Sequence, residues 1–456
     1  MTLTPSLFIG LALLSSSLIA VVNAHNDTPA LTMVGTTPNV PKNIVIMIGD
    51  GMGPAYTSSY RYYKDNPETA AVEQTVFDRL LVGTSSTYPA RVSGYVTDSA
   101  AAATALATGV KSYNGAISVD TDKQKITTIM EKAKALGLST GIAVTSQINH
   151  ATPAAFLTHN ESRKNYDEIA KSLLNTDTDV MLGGGQKYFP PTLIKQFEAK
   201  GYKYLADFSQ LNVITEPKVI GLFADVQLPW AINDKGAHKL SKMTQKALEL
   251  LSRNQDGFVL LVEGSLIDWA GHNNDIATAM AEMDEFANTL EVVERYVRQH
   301  NDTLMLVTAD HNTGGLSIGS NNEYLWNTDI INGVLNSPNV IASLSLDDDN
   351  WQSQVSSKLG FELNSDEVNQ LTLARMQGID VMETAIKKII DLRSYTGWTT
   401  KGHTAVDVQV FAAGPASTLF NGYQDNIDIA NKLMSLLPQN AKLKLNTTNS
   451  EQAQNN

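Results

Sequence analysis

Ser99 lies in the stretch of the sequence that best suits chemistry, Thr97-Asp98-Ser99 followed by four alanines. The alanines predict a helix, so Ser99 would lie at its amino-terminal mouth, where backbone N–H groups are unpaired and the helix dipole is positive. Two uses of that position fit. Either the serine caps the helix, or its hydroxyl lies beside a bound anion. On its own, this short motif favours the cap.

Carboxylates and imidazoles elsewhere in the chain favour the anion. Asp268 and His272 are spaced i, i+4, so they can share one helix face and bind one ion, although such pairs are also common helix-surface contacts. A serine among metal ligands at a helix mouth would be a phosphoryl acceptor. The candidate ligands are Asp50, Glu263, Asp268, His272, Asp310, His311 and His403.

Several of these residues follow short apolar runs. Residues 43–48 precede Asp50, residues 257–262 precede Glu263, and residues 303–308 precede Asp310. Short apolar runs bounded by glycines are typical of buried parallel strands, and open α/β sheets bind ligands at the carboxyl ends of their strands. The site is therefore expected at one edge of a sheet.

The remaining pattern alternates strands with helices. Further strands are predicted at residues 139–145, 179–182 and 408–412, and helices at residues 127–136, 237–251 and 277–297. The fold class expected is α/β, with a large, mainly parallel central sheet and helices on both faces. No repeat or interdomain linker is evident, so residues 25–438 are predicted to form a single catalytic domain.

A long segment separates His311 from His403, and an insertion is predicted within residues 316–400. It contains a helical stretch at residues 366–391 and three of the five tryptophans. Long insertions at a ligand-binding face are often lids or subunit contacts. Surface decoration without a role fits equally well. The tryptophans are Trp326, Trp351 and Trp398.

The composition describes a globular protein of 456 residues, 43% hydrophobic, with a net charge of −13. The acidic balance argues against nucleic-acid binding, and an anionic substrate would need a local positive centre. There is no cysteine. The chain therefore forms no disulfides, and a metal site must use Asp, Glu, His and hydroxyl ligands.

Both ends of the sequence differ from the rest. Residues 7–22 are mostly apolar and precede Ala24, which is typical of a secretory signal peptide over residues 1–24, although no Lys or Arg precedes the apolar run. An uncleaved membrane anchor is the alternative, disfavoured by three consecutive serines within the run. We therefore predict a periplasmic or secreted protein with no membrane contact in its mature form. Residues 439–456 are predicted to be a polar tail.

Five motifs resemble those of the alkaline phosphatase family, in the family's order and across nearly the whole mature chain. The resemblance implies hydrolysis of phosphate monoesters through a phosphoserine at Ser99, an alkaline pH optimum and a homodimer. The motifs are Asp50-Gly51-Met52-Gly53, Thr97-Asp98-Ser99-Ala100-Ala101, Val262-Glu263-Gly264 with Asp268 and His272, Thr308-Ala309-Asp310-His311, and Gly402-His403-Thr404.

The resemblance also implies two Zn²⁺ ions and one Mg²⁺. Zinc favours imidazole and carboxylate ligands and magnesium favours oxygen. The zinc ions would activate the Ser99 hydroxyl and stabilise the leaving oxygen, while Arg163 would bind two phosphate oxygens. The ligand sets implied are Asp268, His272 and His403 for the first zinc, Asp50, Asp310 and His311 for the second, and Asp50, Thr152 and Glu263 for magnesium.

Two positions depart from the best-known bacterial members of the family. His150 stands where they have an aspartate, and Trp269 where they have a lysine. Replacing a carboxylate with an imidazole should weaken binding of the third metal. Loss of a lysine near the phosphate should speed product release. Packing of Trp269 beside the zinc helix is the alternative, and both positions are predicted to tune the site.

Three other functions were compared with this interpretation. A sulfatase is disfavoured because Ser99 lacks the Pro-x-Arg context for formylglycine formation, and a phosphodiesterase is disfavoured by Arg163, which suits two free phosphate oxygens. A non-catalytic zinc- or phosphate-binding protein would share the ligands but would not depend on Ser99.

Overall fold

The computed structural model describes residues 40–346 and 348–438. The predicted signal peptide and the predicted polar tail lie outside these residues, and the domain boundaries stay a prediction. Among the helices of the described ranges, none combines the length and apolar character needed to cross a membrane.

A ten-stranded sheet runs through the molecule in the order β14-β2-β13-β8-β1-β7-β3-β4-β6-β5. All neighbouring strands in it are parallel except β13, which runs antiparallel to both β2 and β8. The strands are β1 (Asn43–Gly49), β2 (Leu81–Ser86), β3 (Ser139–Gln147), β4 (Val180–Gly184), β5 (Lys203–Leu205), β6 (Val219–Leu222), β7 (Phe258–Gly264), β8 (Thr303–Ala309), β9 (Asn312–Thr313), β10 (Ser317–Ile318), β11 (Thr396–Gly397), β12 (His403–Thr404), β13 (Val408–Ala413) and β14 (Gly422–Asp425).

Helices cover both faces of the sheet, as expected for parallel strands joined by crossover connections. The helices are α1 (Pro54–Tyr63), α2 (Val76–Leu80), α3 (Ser99–Thr108), α4 (Ile129–Ala135), α5 (Ala151–Leu157), α6 (Tyr166–Leu173), α7 (Pro191–Ala199), α8 (Lys239–Leu251), α9 (Leu266–His272), α10 (Ile276–Gln299), α11 (Thr328–Gly333), α12 (Pro338–Leu346), α13 (Trp351–Leu359), α14 (Ser365–Arg375), α15 (Ile379–Ser394) and α16 (Asn426–Leu436).

The central strand β1 shows why the sheet needs both layers. It is buried along its whole length, and its side chains alternate between two hydrophobic cores. Val45 and Met47 pack into the core that includes α8 and α10, whereas Ile44 and Ile46 pack into the core that includes α3 and α5. A strand with apolar side chains on both faces is stable only when helices cover both.

The register of β1 with its neighbours brings three acidic residues to one edge. Ile48 pairs with Glu263 of β7, and Gly49 pairs with Ala309 of β8. Asp50 and Asp310 each follow directly after these strands, at the same edge of the sheet. The predicted gathering of acids at the carboxyl ends is therefore confirmed, as is the mainly parallel α/β fold.

The fold also differs from expectation. The helical stretch predicted over residues 366–391 is two helices, α14 and α15, separated at Gly378 with φ of 102°. Strand β2 was not predicted, because its sequence Leu-Val-Gly-Thr-Ser-Ser has no continuous apolar run and only its last two residues are buried. It nevertheless pairs with both β13 and β14 near one end of the sheet.

The predicted insertion forms helices α11 to α15, and its three tryptophans are used within it. Trp351 is buried, the indole N–H of Trp326 donates to the Thr396 hydroxyl, and that of Trp398 donates to Asp391 at 3.2 Å. The Trp398 ring lies so close to Gly314 that a Cβ there would come within 2.6 Å of it. The insertion therefore packs directly against the loop that follows His311.

Candidate active site

Ser99 is the first residue of α3 and is buried. It does not cap the helix. The preceding Asp98 does, because its carboxylate accepts hydrogen bonds from the backbone N–H of Ala101 at 2.9 Å and of Gly115 at 3.1 Å. The Ser99 hydroxyl is therefore free to face the sheet edge, where its oxygen lies 3.1 Å from His311 Nε2.

His311 Nε2 also faces two carboxylates. It lies 3.4 Å from an oxygen of Asp50 and 3.2 Å from an oxygen of Asp310. All three side chains are fully buried, and burial holds the pKa of His311 well below its usual range, so the imidazole is neutral. Asp50, Asp310 and His311 each offer a ligand atom close enough to the others to share one metal ion. The structure thus brings together the set predicted for the second zinc.

Asp268 and His272 lie on the short helix α9, as their i, i+4 spacing predicted. His272 Nε2 is 3.3 Å from Asp268 Oδ2, and His403 Nε2 is 3.5 Å from Asp268 Oδ1. The two imidazole Nε2 atoms are 3.1 Å apart. The ring of His403 stacks on that of His311, with centroids 3.6 Å apart. The three residues predicted for the first zinc therefore meet, next to the second set.

Backbone carbonyls fix the other nitrogen of both histidines on this side of the site. His272 Nδ1 lies 2.5 Å from the Lys401 carbonyl, and His403 Nδ1 lies 2.8 Å from the Thr97 carbonyl. In each case Nδ1 must carry the proton, because a carbonyl only accepts hydrogen bonds. The lone pair of Nε2 is then available to bind a metal ion.

A third group consists of Asp50, His150 and Glu263, which also offer ligand atoms close to one another. The buried hydroxyl of Thr152 has no hydrogen-bond partner among the described residues and lies beside Glu263. Asp50, Thr152 and Glu263 are the residues predicted to hold magnesium. The structure adds His150 to them as a possible ligand, whereas the sequence suggested only that it tunes the site.

The carboxylates of the site lack the partners that buried charges need. Within the described part of the chain, both oxygens of Asp50, both oxygens of Glu263 and one oxygen of Asp310 accept no hydrogen bond. Burial, reinforced by the neighbouring carboxylates, raises the pKa of Asp50 well above its usual range. Burial raises that of Asp310 to about 7 and that of Glu263 to about 8. Buried carboxylates with free oxygens and imidazoles with free Nε2 atoms suit divalent metal ions.

Arg163 supplies the positive side chain that an anionic substrate requires. Its Nη1 donates to Asp98 Oδ2 at 3.1 Å, and its Nη2 lies 3.2 Å from His150 Nε2. Since guanidinium only donates, His150 Nε2 accepts, and burial together with Arg163 lowers the pKa of His150 to about 3. Asp98 therefore has two roles, as the cap of α3 and as the partner that orients Arg163 next to Ser99.

Comparison with known proteins agrees with this geometry. The family model for alkaline phosphatase matches residues 41–438. The chain belongs to the alkaline phosphatase family. It is 42% identical over 416 residues to alkaline phosphatase 3 of Bacillus subtilis, covering 88% of this chain and 90% of that protein. It is 36% identical over 335 residues to the alkaline phosphatase of Escherichia coli, covering 59% of this chain and 70% of that one.

Solved structures show the same relationship. The crystal structure of a cold-active alkaline phosphatase from a psychrophilic Shewanella species has 68% sequence identity and a TM-score of 0.87, covering 87% of this chain and all of that one. A His-to-Asp variant of TAB5 alkaline phosphatase, with Mg bound in its M3 site, has 27% identity and a TM-score of 0.67, covering 88% of this chain and 99% of that one. As a member of this family, the chain is a metal-dependent hydrolase of phosphate monoesters.

Trp269, at one of the two positions that depart from the best-known alkaline phosphatases, follows Asp268 on α9. Its ring meets the His150 ring edge-on, with centroids 5.8 Å apart and an interplanar angle of 68°. His150 therefore lies between the indole and the Arg163 guanidinium. The two substituted positions form one contact, so their effects on the site are expected to be coupled.

Sequence reasoning missed two residues of this alkaline phosphatase site. Asp98 was part of the recognised motif, and its place directly before a helix is a known signal for an N-cap, but its contact with Arg163 had no signal in the sequence. Thr313, two residues after His311, has no signal in the sequence either. Its hydroxyl donates a hydrogen bond to Asp268 and lies 3.3 Å from His311 Nδ1.

Proposed function

We propose that the protein hydrolyses phosphate monoesters through a covalent phosphoserine at Ser99. One observation carries this proposal. The buried Ser99 hydroxyl lies 3.1 Å from His311 Nε2, facing carboxylates that have no hydrogen-bond partner among the described residues. In the first step the Ser99 oxygen bonds to phosphorus as the ester P–O bond breaks, and the hydroxyl proton ends on the leaving oxygen, which departs as the alcohol. Water then cleaves the phosphoserine, which frees phosphate and restores the hydroxyl.

Arg163 is proposed to hold the phosphoryl group during both steps. Its guanidinium is oriented by Asp98, the residue directly before the nucleophile, so its position is tied to that of Ser99. A planar fork of N–H donors can bind two oxygens of a monoester at once. A monoester then still has a third non-bridging oxygen for the proposed metal ions, whereas in a diester that oxygen carries the second ester group. Two successive in-line displacements would leave the configuration at phosphorus unchanged.

The metal ions proposed are two Zn²⁺ and one Mg²⁺, held by the three groups of ligands. When bound, they would supply Lewis acidity that lowers the pKa of the attacking hydroxyl and neutralises charge on the transferring group. Asp268, His272 and His403 would hold the first zinc; Asp50, Asp310 and His311 the second; and Asp50, Thr152 and Glu263 the magnesium. Because a serine alkoxide is favoured as pH rises, an alkaline optimum is also proposed.

His150 and Trp269 are proposed to lower the affinity of the site for the third metal ion and for product phosphate. His150 is kept neutral and accepts a hydrogen bond from Arg163, so it offers that metal no negative charge. The related TAB5 variant in which a histidine is replaced by aspartate has Mg bound in its M3 site. That observation supports the idea that a carboxylate in place of such a histidine favours magnesium.

We also propose that the protein is exported to the periplasm or the medium and forms a homodimer. The apolar run at residues 7–22 supports export, and the family resemblance supports the dimer. Sequencing the amino terminus of the mature protein and measuring its mass in solution test these two points. A mature chain that retains residues 1–24, or a monomeric mass, contradicts them.

Replacing Ser99 with alanine tests the nucleophile. Ser99→Ala should bind zinc as the wild type does, yet lose turnover on the order of 10³-fold or more and form no phosphoenzyme. Radiolabelled inorganic phosphate and acid quenching would detect the phosphoenzyme, and elemental analysis would count the zinc. Ser252→Ala, at an exposed serine after α8, is the control and should keep full activity.

Two outcomes contradict the proposal. If Ser99→Ala still yields a trapped phosphoenzyme, the nucleophile is a different residue. If the wild type hydrolyses a diester as fast as the matching monoester, the site does not require the third non-bridging oxygen that only a monoester carries.

A further inference from the structure

We infer that Thr313 is a positioning residue whose hydroxyl joins the ligand sets of the two zinc ions proposed above. The hydroxyl donates a hydrogen bond to Asp268 Oδ1, in the first set, and its oxygen lies 3.3 Å from Nδ1 of His311, in the second. No other hydroxyl in the described residues contacts both sets. The inference rests on the proposed metal site and adds to it a residue that would not touch either ion.

The direction of each hydrogen bond follows from chemistry. A hydroxyl has one proton, and an ionised carboxylate only accepts, so Thr313 gives its proton to Asp268. The contact with His311 then requires a proton on Nδ1 of the imidazole. His311 Nε2 is left with its lone pair, pointing at Asp50 and Asp310. Thr313 therefore selects the tautomer of His311 that can bind a metal ion through Nε2.

The same contact orients the carboxylate of Asp268. Its Oδ1 faces both Thr313 and His403, while its Oδ2 faces His272 at 3.3 Å. A hydrogen bond to Oδ1 fixes rotation of the carboxylate about its last bond. Each oxygen is thereby kept near a histidine of the first set.

The surrounding chain holds the hydroxyl in place. The Thr313 N–H donates to the Gly51 carbonyl at 3.1 Å, and the hydroxyl of the buried Tyr56 donates to the Thr313 carbonyl at 2.8 Å. Gly51 has a φ of 72°, and a Cβ there would lie 2.6 Å from the Thr313 hydroxyl oxygen. Only glycine fits so close, and the Thr313 hydroxyl therefore packs directly against the Gly51 backbone.

Strand pairing extends the connection to His403. Thr313 belongs to β9, and its register partner on β12 is His403 itself. Thr313 therefore lies between three ligands of the proposed zinc pair: Asp268 and His311 through its hydroxyl, and His403 through the backbone. Loss of the hydroxyl should therefore lower the affinity of both proposed zinc sites and not of one alone.

Isosteric variants test this inference. Thr313→Val keeps the shape and removes the hydroxyl, whereas Thr313→Ser keeps the hydroxyl. Zinc affinity, measured by competition with a chelator, should fall about 10- to 100-fold for both zinc equivalents in Thr313→Val, the range typical of partners that orient metal ligands. Thr313→Ser should stay within about threefold of the wild type, since its hydroxyl can make the same two hydrogen bonds.

A second buried threonine provides the control. Thr289 on α10 is buried, and its hydroxyl bonds to the Glu285 carbonyl and to Ser241, away from the ligands. Thr289→Val should leave zinc affinity unchanged. Thermal unfolding of each metal-free variant checks folding; should Thr313→Val fail to fold, Thr313→Ala replaces it in the same comparison with Thr313→Ser.

Each outcome decides one question. Unchanged zinc affinity in a folded Thr313→Val overturns the role of Thr313 and leaves the proposed function standing. Loss of one zinc equivalent alone also overturns the inference, because the two sets would then be independent. A wild-type protein that binds no zinc refutes the proposed metal site itself.

Discussion

Two clusters of buried acids in this molecule have opposite surroundings. At the sheet edge, the carboxylates of Asp50 and Glu263 receive no hydrogen bond from the described residues. On α10, Glu282 accepts the Ala231 backbone N–H at 2.8 Å, and Glu285 accepts those of Leu240 and Ser241 at 2.8 and 3.3 Å. The described residues therefore donate no hydrogen bond to the carboxylates of Asp50 and Glu263, whereas backbone N–H groups donate to those of Glu282 and Glu285.

A raised pKa does not distinguish Glu263 of the first cluster from Glu282 of the second. Burial raises the pKa of Glu263 to about 8 and that of Glu282 to about 8 as well. A raised pKa therefore marks burial in both places. The difference lies in the partners: Glu263 has a neighbouring Thr152 hydroxyl and an imidazole, whereas Glu282 has a backbone N–H.

The acids of α10 serve the backbone. Helix α8 begins after His238, which has φ of 45° and forms no side-chain cap, so the first N–H groups of the helix need other acceptors. The Glu285 carboxylate, on the neighbouring helix α10, accepts hydrogen bonds from two of these N–H groups. A buried acid that accepts such N–H groups is structural, and one left without donors beside imidazoles is suited to hold a cation.

The matched pair Glu263→Gln and Glu282→Gln should separate the two clusters most strongly. At Glu263 the amide removes the negative charge for the third metal, whose affinity should fall by at least about 100-fold, since even the outer partners of metal ligands contribute 10- to 100-fold. Activity should fall with it. At Glu282 the amide oxygen still accepts from Ala231, so the free energy of unfolding should change by less than about 1 kcal/mol.

Metal content by elemental analysis, phosphatase activity and urea unfolding measure the three effects. The comparison fails if Glu282→Gln loses metal, because α10 would then support the site. It also fails if Glu263→Gln keeps all its metal and full activity.

Much of the catalytic cluster was predictable because it depends on strand ends. Continuous apolar runs predicted β1, β7 and β8, and parallel strands bring the residues after them to one edge. The placement of Asp50, Glu263 and Asp310 at that edge follows from this rule, whereas their assignment to particular metal ions came from the family resemblance. Asp268 and His272 were predictable from helical spacing, since both lie on one short helix.

The parts that were missed depend on contacts between distant segments. The role of Thr313 depends on its hydrogen bonds to Asp268 and His311, and that of Glu285 depends on its hydrogen bonds to the start of α8. Neither residue is marked by a local sequence pattern. The division of α14 from α15 was missed because the residues on both sides of Gly378 continue a helical composition. Glycine at φ of 102° ends that pattern in the structure.

The double variant His150→Asp with Trp269→Lys tests whether these two uncharged residues set the affinity of the site for magnesium and phosphate. Aspartate adds negative charge beside Asp50 and Glu263, and lysine adds positive charge near the bound phosphate. Magnesium should bind about 10-fold more tightly, and phosphate should inhibit at about 10-fold lower concentration, with slower turnover where product release is limiting. Magnesium titration and phosphate inhibition measure the two changes.

The single variants are the controls for this pair. Because the His150 and Trp269 rings are in contact, the effect of the double variant should differ from the sum of the single effects. Unchanged magnesium response and unchanged phosphate affinity in the double variant would show that these two positions only pack.

The smallest effect on stability is expected at the pair of His159 and Glu131, because both ring nitrogens of His159 already have partners in the protein. His159 Nε2 lies 2.8 Å from a Glu131 oxygen and Nδ1 lies 2.8 Å from the Ser118 carbonyl. Burial opposes the charged imidazole, but these hydrogen bonds outweigh it and raise the pKa of His159. Its stabilising contribution is therefore complete below the usual value of about 6.5 and is lost as pH rises through the folded-state pKa.

His159→Gln should accordingly lower the free energy of unfolding by less than about 1 kcal/mol at pH 6 and by almost nothing at pH 9. Urea unfolding of the metal-loaded protein at both pH values measures the difference. Glu131 is left intact because it also accepts the Thr128 N–H at the start of α4, at 2.9 Å. An equal loss at both pH values would mean that His159 acts by packing and not by charge. Activity at pH 9 should be unchanged, since this pair, unlike the carboxylates of the site, already has its partners in the protein.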